Sequence, residues 1–189
     1  MNYNKYTVQT QQVLQQAFTI AGGKSHQAIE NAHIMKSIFM VSESLISYIL
    51  GKFSVNRQNF ELAIDRIIDT YPQVSGGDQY LSKETTKSFQ KAENIAAEMN
   101  DEYVSVEHIL LGMISSGDNI SQLLKDNGIS EKSLKDVMKE LRKGSAVNSP
   151  NAEETYNSLD RYANNLNDMA RKGKLDPVIG RDAEIRRVM

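Results

Sequence analysis

Residues Asp101-Glu102-Tyr103-Val104-Ser105-Val106-Glu107-His108-Ile109-Leu110-Leu111-Gly112 read as an entry loop, a capping serine and the apolar start of a helix. An echo lies earlier, between Gln27 and Lys36: His33-Ile34-Met35 answers His108-Ile109-Leu110 at a spacing of 75 residues (108 − 33). The correspondence extends outward. Ser82 stands 75 residues after Thr7, and each precedes a helical pattern. Ala92, Ile95 and Ala96 repeat Ala17, Ile20 and Ala21, while Thr85 and Gln90 repeat Thr10 and Gln15. Phe60 aligns with Leu134 at an offset of 74, so one residue has been lost by that point. A repeat of this length buries little alone, and its natural partner is its copy.

The pattern predicts an all-α fold: two homologous four-helix units, about 7–72 and 82–143, packed as a pseudo-twofold pair in one domain spanning 1–143. In the first unit Thr7 caps a helix carrying Val13, Leu14, Ala17, Ile20 and Ala21, with Gly22-Gly23 as its stop. A second helix follows Ile29 through Ile34, Ile38 and Met40 or Val41, and Ser42-Glu43-Ser44 separates it from a short third, Leu45 to Leu50. Asn56 caps the fourth, with Phe60, Ile64, Ile67, Ile68 and Tyr71 on its apolar face and Pro72 as its end. The second unit restarts at Ser82, continues after Ser105 and over Ile120–Lys125, stops at Asn127-Gly128, and closes with a helix capped by Ser130. The polar stretch 144–154 reads as a flexible linker, and 155–189 as a helical tail whose pattern breaks off in mid-helix, as in a piece of something longer.

Composition excludes several function classes. A net charge of −2 lacks the basic excess of a general nucleic-acid or membrane-surface binder. With no cysteine, neither a disulfide frame nor a thiolate metal site can form. No apolar run approaches the roughly 20 residues that span a bilayer, and the N-terminus lacks the apolar core of a signal peptide. A cytoplasmic protein is expected.

Two features together resemble the amino-terminal part of a Clp-type AAA+ chaperone, and within that family the ClpB disaggregase branch. One is the tandem repeat with Ser105-Val106-Glu107-His108-Ile109-Leu110-Leu111-Gly112; the other is Gly173-Lys174-Leu175-Asp176-Pro177-Val178-Ile179-Gly180-Arg181-Asp182. Tyr71-Pro72-Gln73-Val74-Ser75-Gly76-Gly77 and Leu141-Arg142-Lys143-Gly144 resemble that branch's connector and exit segments. The resemblance implies a hexameric, ATP- and magnesium-dependent machine that threads unfolded or aggregated polypeptides, working with the DnaK chaperone system. These residues would supply its substrate-receiving domain and, from 155, the truncated start of the first ATPase domain. No Gly-x-x-x-x-Gly-Lys-Ser/Thr phosphate loop occurs, so this stretch is not expected to hydrolyse ATP and needs no cofactor of its own. The protease-linked ClpC/ClpA branch, whose amino-terminal domain docks adaptors, is the alternative.

By the same resemblance Thr7, Asp101 and Glu107 match positions associated with polypeptide handling, and Val178, Ile179 and Gly180 the segment packing against adenine. Each has a plainer reading: Thr7 as a helix cap, Glu107 as a carboxylate favoured in a first helical turn, Asp101 as a solvated loop residue, and 178–180 as a turn after Pro177. Asp101 answers His26 and Glu107 answers Ala32, so both carboxylates are peculiar to the second half. His33 and His108, placed identically, suggest a shared structural duty at a helix start rather than a metal site. Met35, Met40, Met99, Met113 and Met138 read as core, with a methionine-lined groove as the functional option. The basic residues between Arg171 and Arg187 are offset by Asp176, Asp182 and Glu184, which suits a solvated junction.

Overall fold

The computed structural model describes residues 3–74, 76–142, 144–153 and 187. Residues 3–153 belong to one compact unit, and the predicted tail helix and the 178–180 segment lie outside the described residues. The helices are α1 (Val8–Gly23), α2 (Asn31–Val41), α3 (Glu43–Lys52), α4 (Arg57–Asp69), α5 (Lys83–Glu98), α6 (Val106–Ile114), α7 (Asn119–Asp126) and α8 (Glu131–Arg142). α1 and α5 each run for 16 residues and begin 75 apart. The duplicated all-α fold is as the repeat predicts.

The copies begin with the same chemistry. Thr7 Oγ1 accepts the Thr10 amide at 3.2 Å and meets the Thr10 hydroxyl at 2.9 Å. Ser82 Oγ accepts the Thr85 amide at 3.1 Å and donates to the Thr85 hydroxyl at 3.1 Å. Each side chain satisfies an amide that the first turn leaves without a helical partner.

Two short parallel pairings, absent from the helical reading, join the halves. β1 (Ala28–Ile29) pairs with β2 (Tyr80–Leu81), Ala28 opposite Tyr80 and Ile29 opposite Leu81. Tyr6 pairs with Val104, the same relation with the halves exchanged. The segment entering each copy's first helix is therefore bonded to the segment entering the other copy's second. Ile29 and Tyr6 are buried at these crossings.

One apolar core runs through both copies, with Ile34, Ile38, Ile64 and Ile68 from the first and Ile95, Ile109, Leu110 and Met138 from the second. Met35 and Met113 are fully buried in it, whereas Met40 is 57% exposed. α6 packs so closely on α5 that a Cβ on Gly112 would lie 2.2 Å from the Ser88 carbonyl oxygen. The equivalent residue in the first half is Ser37, whose hydroxyl donates to the His33 carbonyl at 2.7 Å.

Three details differ from the sequence reading. Gly22 and Gly23 are helical, and Ser25 takes the left-handed conformation (φ 57°) that follows α1. α4 ends at Asp69, three residues before Pro72, because Thr70 and Tyr71 already turn back onto Ile67 and Ile68. Residues 144–153 are not a free linker: Val147 is fully buried and Ala152 is 6% exposed. An apolar side chain with a place in the core outweighs the polar composition around it.

Candidate functional site

α2 and α6 both start on a histidine. His33 Nδ1 accepts the Glu30 amide at 2.9 Å, and His108 Nδ1 accepts the Ser105 amide at 2.9 Å. Each imidazole closes a capping box from the third helical position. The shared structural duty expected of the two histidines is this cap. With Nδ1 accepting, the proton of the neutral ring sits on Nε2, which donates outward.

In the first copy His33 Nε2 donates to His26 Nδ1 at 2.9 Å, and Tyr71 packs against both rings. Burial first, then the neighbouring His26, pushes His33 down to about 4. In the second copy His108 Nε2 donates to Asp101 Oδ2 at 3.0 Å. Arg142, from the last turn of α8, donates to Asp101 Oδ2 at 2.6 Å, to Ser105 Oγ at 3.2 Å and to Glu107 Oε1 at 3.4 Å. Burial alone would raise the Asp101 carboxyl. The His108 hydrogen bond, the Val147 amide and the guanidinium together hold it down at about 2.

Thr7, Asp101 and Glu107 thus come together, but beneath the surface. Thr7 and Glu107 are fully buried, and Asp101 has only 2% of its side chain exposed. The solvated-loop reading of Asp101 is wrong, because two donors and a backbone amide enclose its carboxylate. Thr7 is indeed a cap, and its hydroxyl also meets Glu153. Glu153 Oε1 accepts the Val106 amide at 2.7 Å. Burial first, then Glu107, raises the Glu153 carboxyl to about 8. Sequence reasoning missed Glu153, and it did not give Arg142 a role in the cluster. A signal for Arg142 existed: it falls at i+8 on the stripe Leu134, Met138, Leu141, where an apolar residue belongs.

Two shallow grooves open on the surface. One, of about 400 Å³, runs along α1 between Tyr3, Gln11, Leu14, Gln15 and Phe18. Its lining carries no charge. The other, of about 390 Å³, lies where the chain leaves α8, between Met99, Lys139, Arg142 and residues 144–146. Among the described residues no group of three or more His, Asp or Glu side chains could hold a metal ion. No single described helix is long and apolar enough to cross a membrane.

Residues 5–127 match the Clp repeat (R) N-terminal domain family. The chain belongs to this family. Over its full length it is 46% identical to the chaperone protein ClpB of Bacteroides thetaiotaomicron and 47% identical to that of Porphyromonas gingivalis. It spans 22% of the length of each of these relatives. The Hsp104 N-terminal domain of Candida albicans shares the Clp repeat fold at a TM-score of 0.69 and 21% identity, covering 78% of this chain and 98% of that one. The N-terminal domain of the Escherichia coli ClpV1 ATPase does so at 0.65 and 13%, covering 77% and 91%.

Proposed function

We propose that this Clp repeat domain receives unfolded or aggregated polypeptides for an ATP-driven disaggregase of the ClpB kind. The observation that carries the reading is the uncharged groove along α1. Leu14 and Phe18 offer it an apolar floor, Tyr3 a half-exposed ring, and Gln11 and Gln15 amide groups. An extended client could seat an apolar side chain on such a floor and bond its backbone to the amides, with little demand on sequence. One buried Leu or Phe contributes about 1.5–3 kcal/mol before association costs, so binding is weak and reversible.

Thr7, Asp101 and Glu107 serve this reception from below, by fixing the helix starts that border the surface. The domain spans about 1–143, and the residues from 155 enter the first ATPase domain. There Val178, Ile179 and Gly180 lie on the adenine side of a nucleotide pocket. The phosphate loop is not in this sequence, so these residues alone do not turn over ATP. Nucleotide, magnesium, the hexamer and the DnaK system engage the whole cytoplasmic protein through its other domains.

Titration of the ¹⁵N-labelled protein with a reduced, alkylated and permanently unfolded polypeptide tests the reading. Amide shifts are expected along Gln11–Phe18, and Phe18→Ser is expected to weaken binding roughly tenfold. Shifts confined to other surfaces, or binding indifferent to Phe18→Ser, would overturn the groove assignment.

A further inference from the structure

After α8 the chain does not leave the domain; it doubles back across the starts of α6 and α1. The Val147 amide donates to Asp101 Oδ1 at 2.8 Å, and its carbonyl accepts the Glu102 and Tyr103 amides, each at 3.1 Å. The Pro150 carbonyl accepts the amide of Val8, the first residue of α1, at 2.9 Å. Glu153 accepts the amide of Val106, the first residue of α6. First-turn amides have no helical acceptor and need one from elsewhere. This strap supplies it to two helices.

Thr7, Asp101 and Glu107 are the residues that meet the strap. Asp101 holds Val147, the Thr7 hydroxyl reaches Glu153, and Glu107 lies close enough to burden Glu153 electrostatically. Glu107 Oε2 and Glu153 Oε2 are both buried without a hydrogen-bond partner. Among the described residues, three carboxyl groups, Asp101, Glu107 and Glu153, therefore face one guanidinium, Arg142, with His108 already committed to Asp101. Such a set is costly unless one carboxyl carries a proton.

We propose that residues 144–153 are a proton-linked latch on the exit of the domain, in which docking takes one proton from solvent onto the buried Glu153 carboxyl. Docked, the strap itself lies across the starts of α1 and α6. Released, residues 145–153 add up to about 30 Å of tether. Thr7, Asp101 and Glu107 are then positioning residues that set how far the receiving domain can travel. The groups facing Glu153 are Thr7 before α1, the Val106 amide and Glu107 at the start of α6, and Arg142 on α8. A free Glu153 has the ordinary carboxyl value of 4.5, and burial with Glu107 beside it raises the docked group to about 8. Docking therefore binds a proton between those limits; it is strongest below 4.5 and weakens as pH rises through the window. From pH 6.5 to pH 9 the docking constant should fall about thirtyfold.

The chain has no cysteine, so spin labels can be placed on Thr86→Cys in α5 and Asn151→Cys in the strap, both exposed. Pulsed dipolar distances in the 189-residue protein should be single and narrow at pH 6.5, and broader and longer at pH 9. Glu153→Gln should stay narrow at both, because its amide accepts from Val106 and donates to Glu107 without titrating. Glu153→Ala should be broad at both. If the unmodified strap is narrow at both pH values and Glu153→Ala is narrow as well, the strap is a fixed part of the fold. A broad Glu153→Gln would mean that Glu153 docks ionised, and a broad unmodified strap at pH 6.5 that it does not dock. Each of these overturns the latch. No client polypeptide is present, so the result stands apart from the binding experiment.

Discussion

The starts of α2 and α6 descend from one sequence and carry the same histidine cap, yet they are backed by different chemistry. Behind His33 stand His26 and Tyr71, two rings that share its burial. Behind His108 stand Asp101 and Arg142, an ion pair with 2% and 5% of its side chains exposed. Position 101 corresponds to position 26, and the carboxylate that stands there in place of an imidazole has a cation beside it. The lesson is that a repeat conserves the bond that makes the helix, while what supports that bond can diverge.

The largest test of this difference removes the supporting side chain from each copy. Asp101→Ala leaves a buried guanidinium, the His108 N–H and the Val147 amide without their acceptor, and should destabilise by about 3–5 kcal/mol in urea unfolding. His26→Ala removes a neutral partner and should cost about 1–3 kcal/mol. Equal losses would show that the ion pair adds nothing to the second copy.

Acid should separate the copies next. His33 is held at about 4 against an ordinary value of 6.5. The unfolded chain therefore binds the proton first, and the stability from this site is full above about pH 6.5 and lost as pH falls toward 4. The loss amounts to about 3 kcal/mol. His33→Gln keeps a capping-box side chain and cannot titrate, so its stability profile should be flatter across that window. Asp101, depressed to about 2 from 3.8, should add a further loss only below about pH 4.

The smallest contrast concerns packing. Gly112→Ala drives a methyl group into the Ser88 carbonyl and should cost about 1–3 kcal/mol as α6 moves off α5. Ser37→Ala at the equivalent place removes one hydroxyl hydrogen bond and should cost about 1 kcal/mol. A tolerated Gly112→Ala, measured by thermal unfolding, would mean that the two helix pairs are less different than their spacing indicates.

Much of the fold was legible before any coordinates. The 75-residue spacing, the caps Thr7, Asn56, Ser82 and Ser105, and the stop at Asn127-Gly128 are local signals, because capping and helix periodicity act within a few residues. The end of α1 was misplaced by two residues for the same reason in reverse: the helix runs through Gly22 and Gly23, and Ser25 adopts φ 57° because the chain must turn there, whatever its own preference. Of the candidate site, the oddity of Asp101 and Glu107 was visible as acidic residues without counterparts in the first half. Their burial was not visible, since their partners lie 41 and 35 residues away on α8. Residues 144–153 were misread because small polar composition suggests freedom, and one buried valine with two helix starts in need of acceptors outweighs it.

By itself the sequence determined the duplication, the helices and their caps, and the single lost residue, since each is written in spacings shorter than a repeat or in the repeat itself. Only the tertiary structure decided that each copy's first helix is tied through its entry segment to the other copy's second, at Tyr6 with Val104 and at Ile29 with Leu81. It alone placed Thr7, Asp101 and Glu107 under the returning strap. Backbone pairing of two residues leaves no periodic signature, and a buried charge is recognisable only once the cation that neutralises it has been brought to its side.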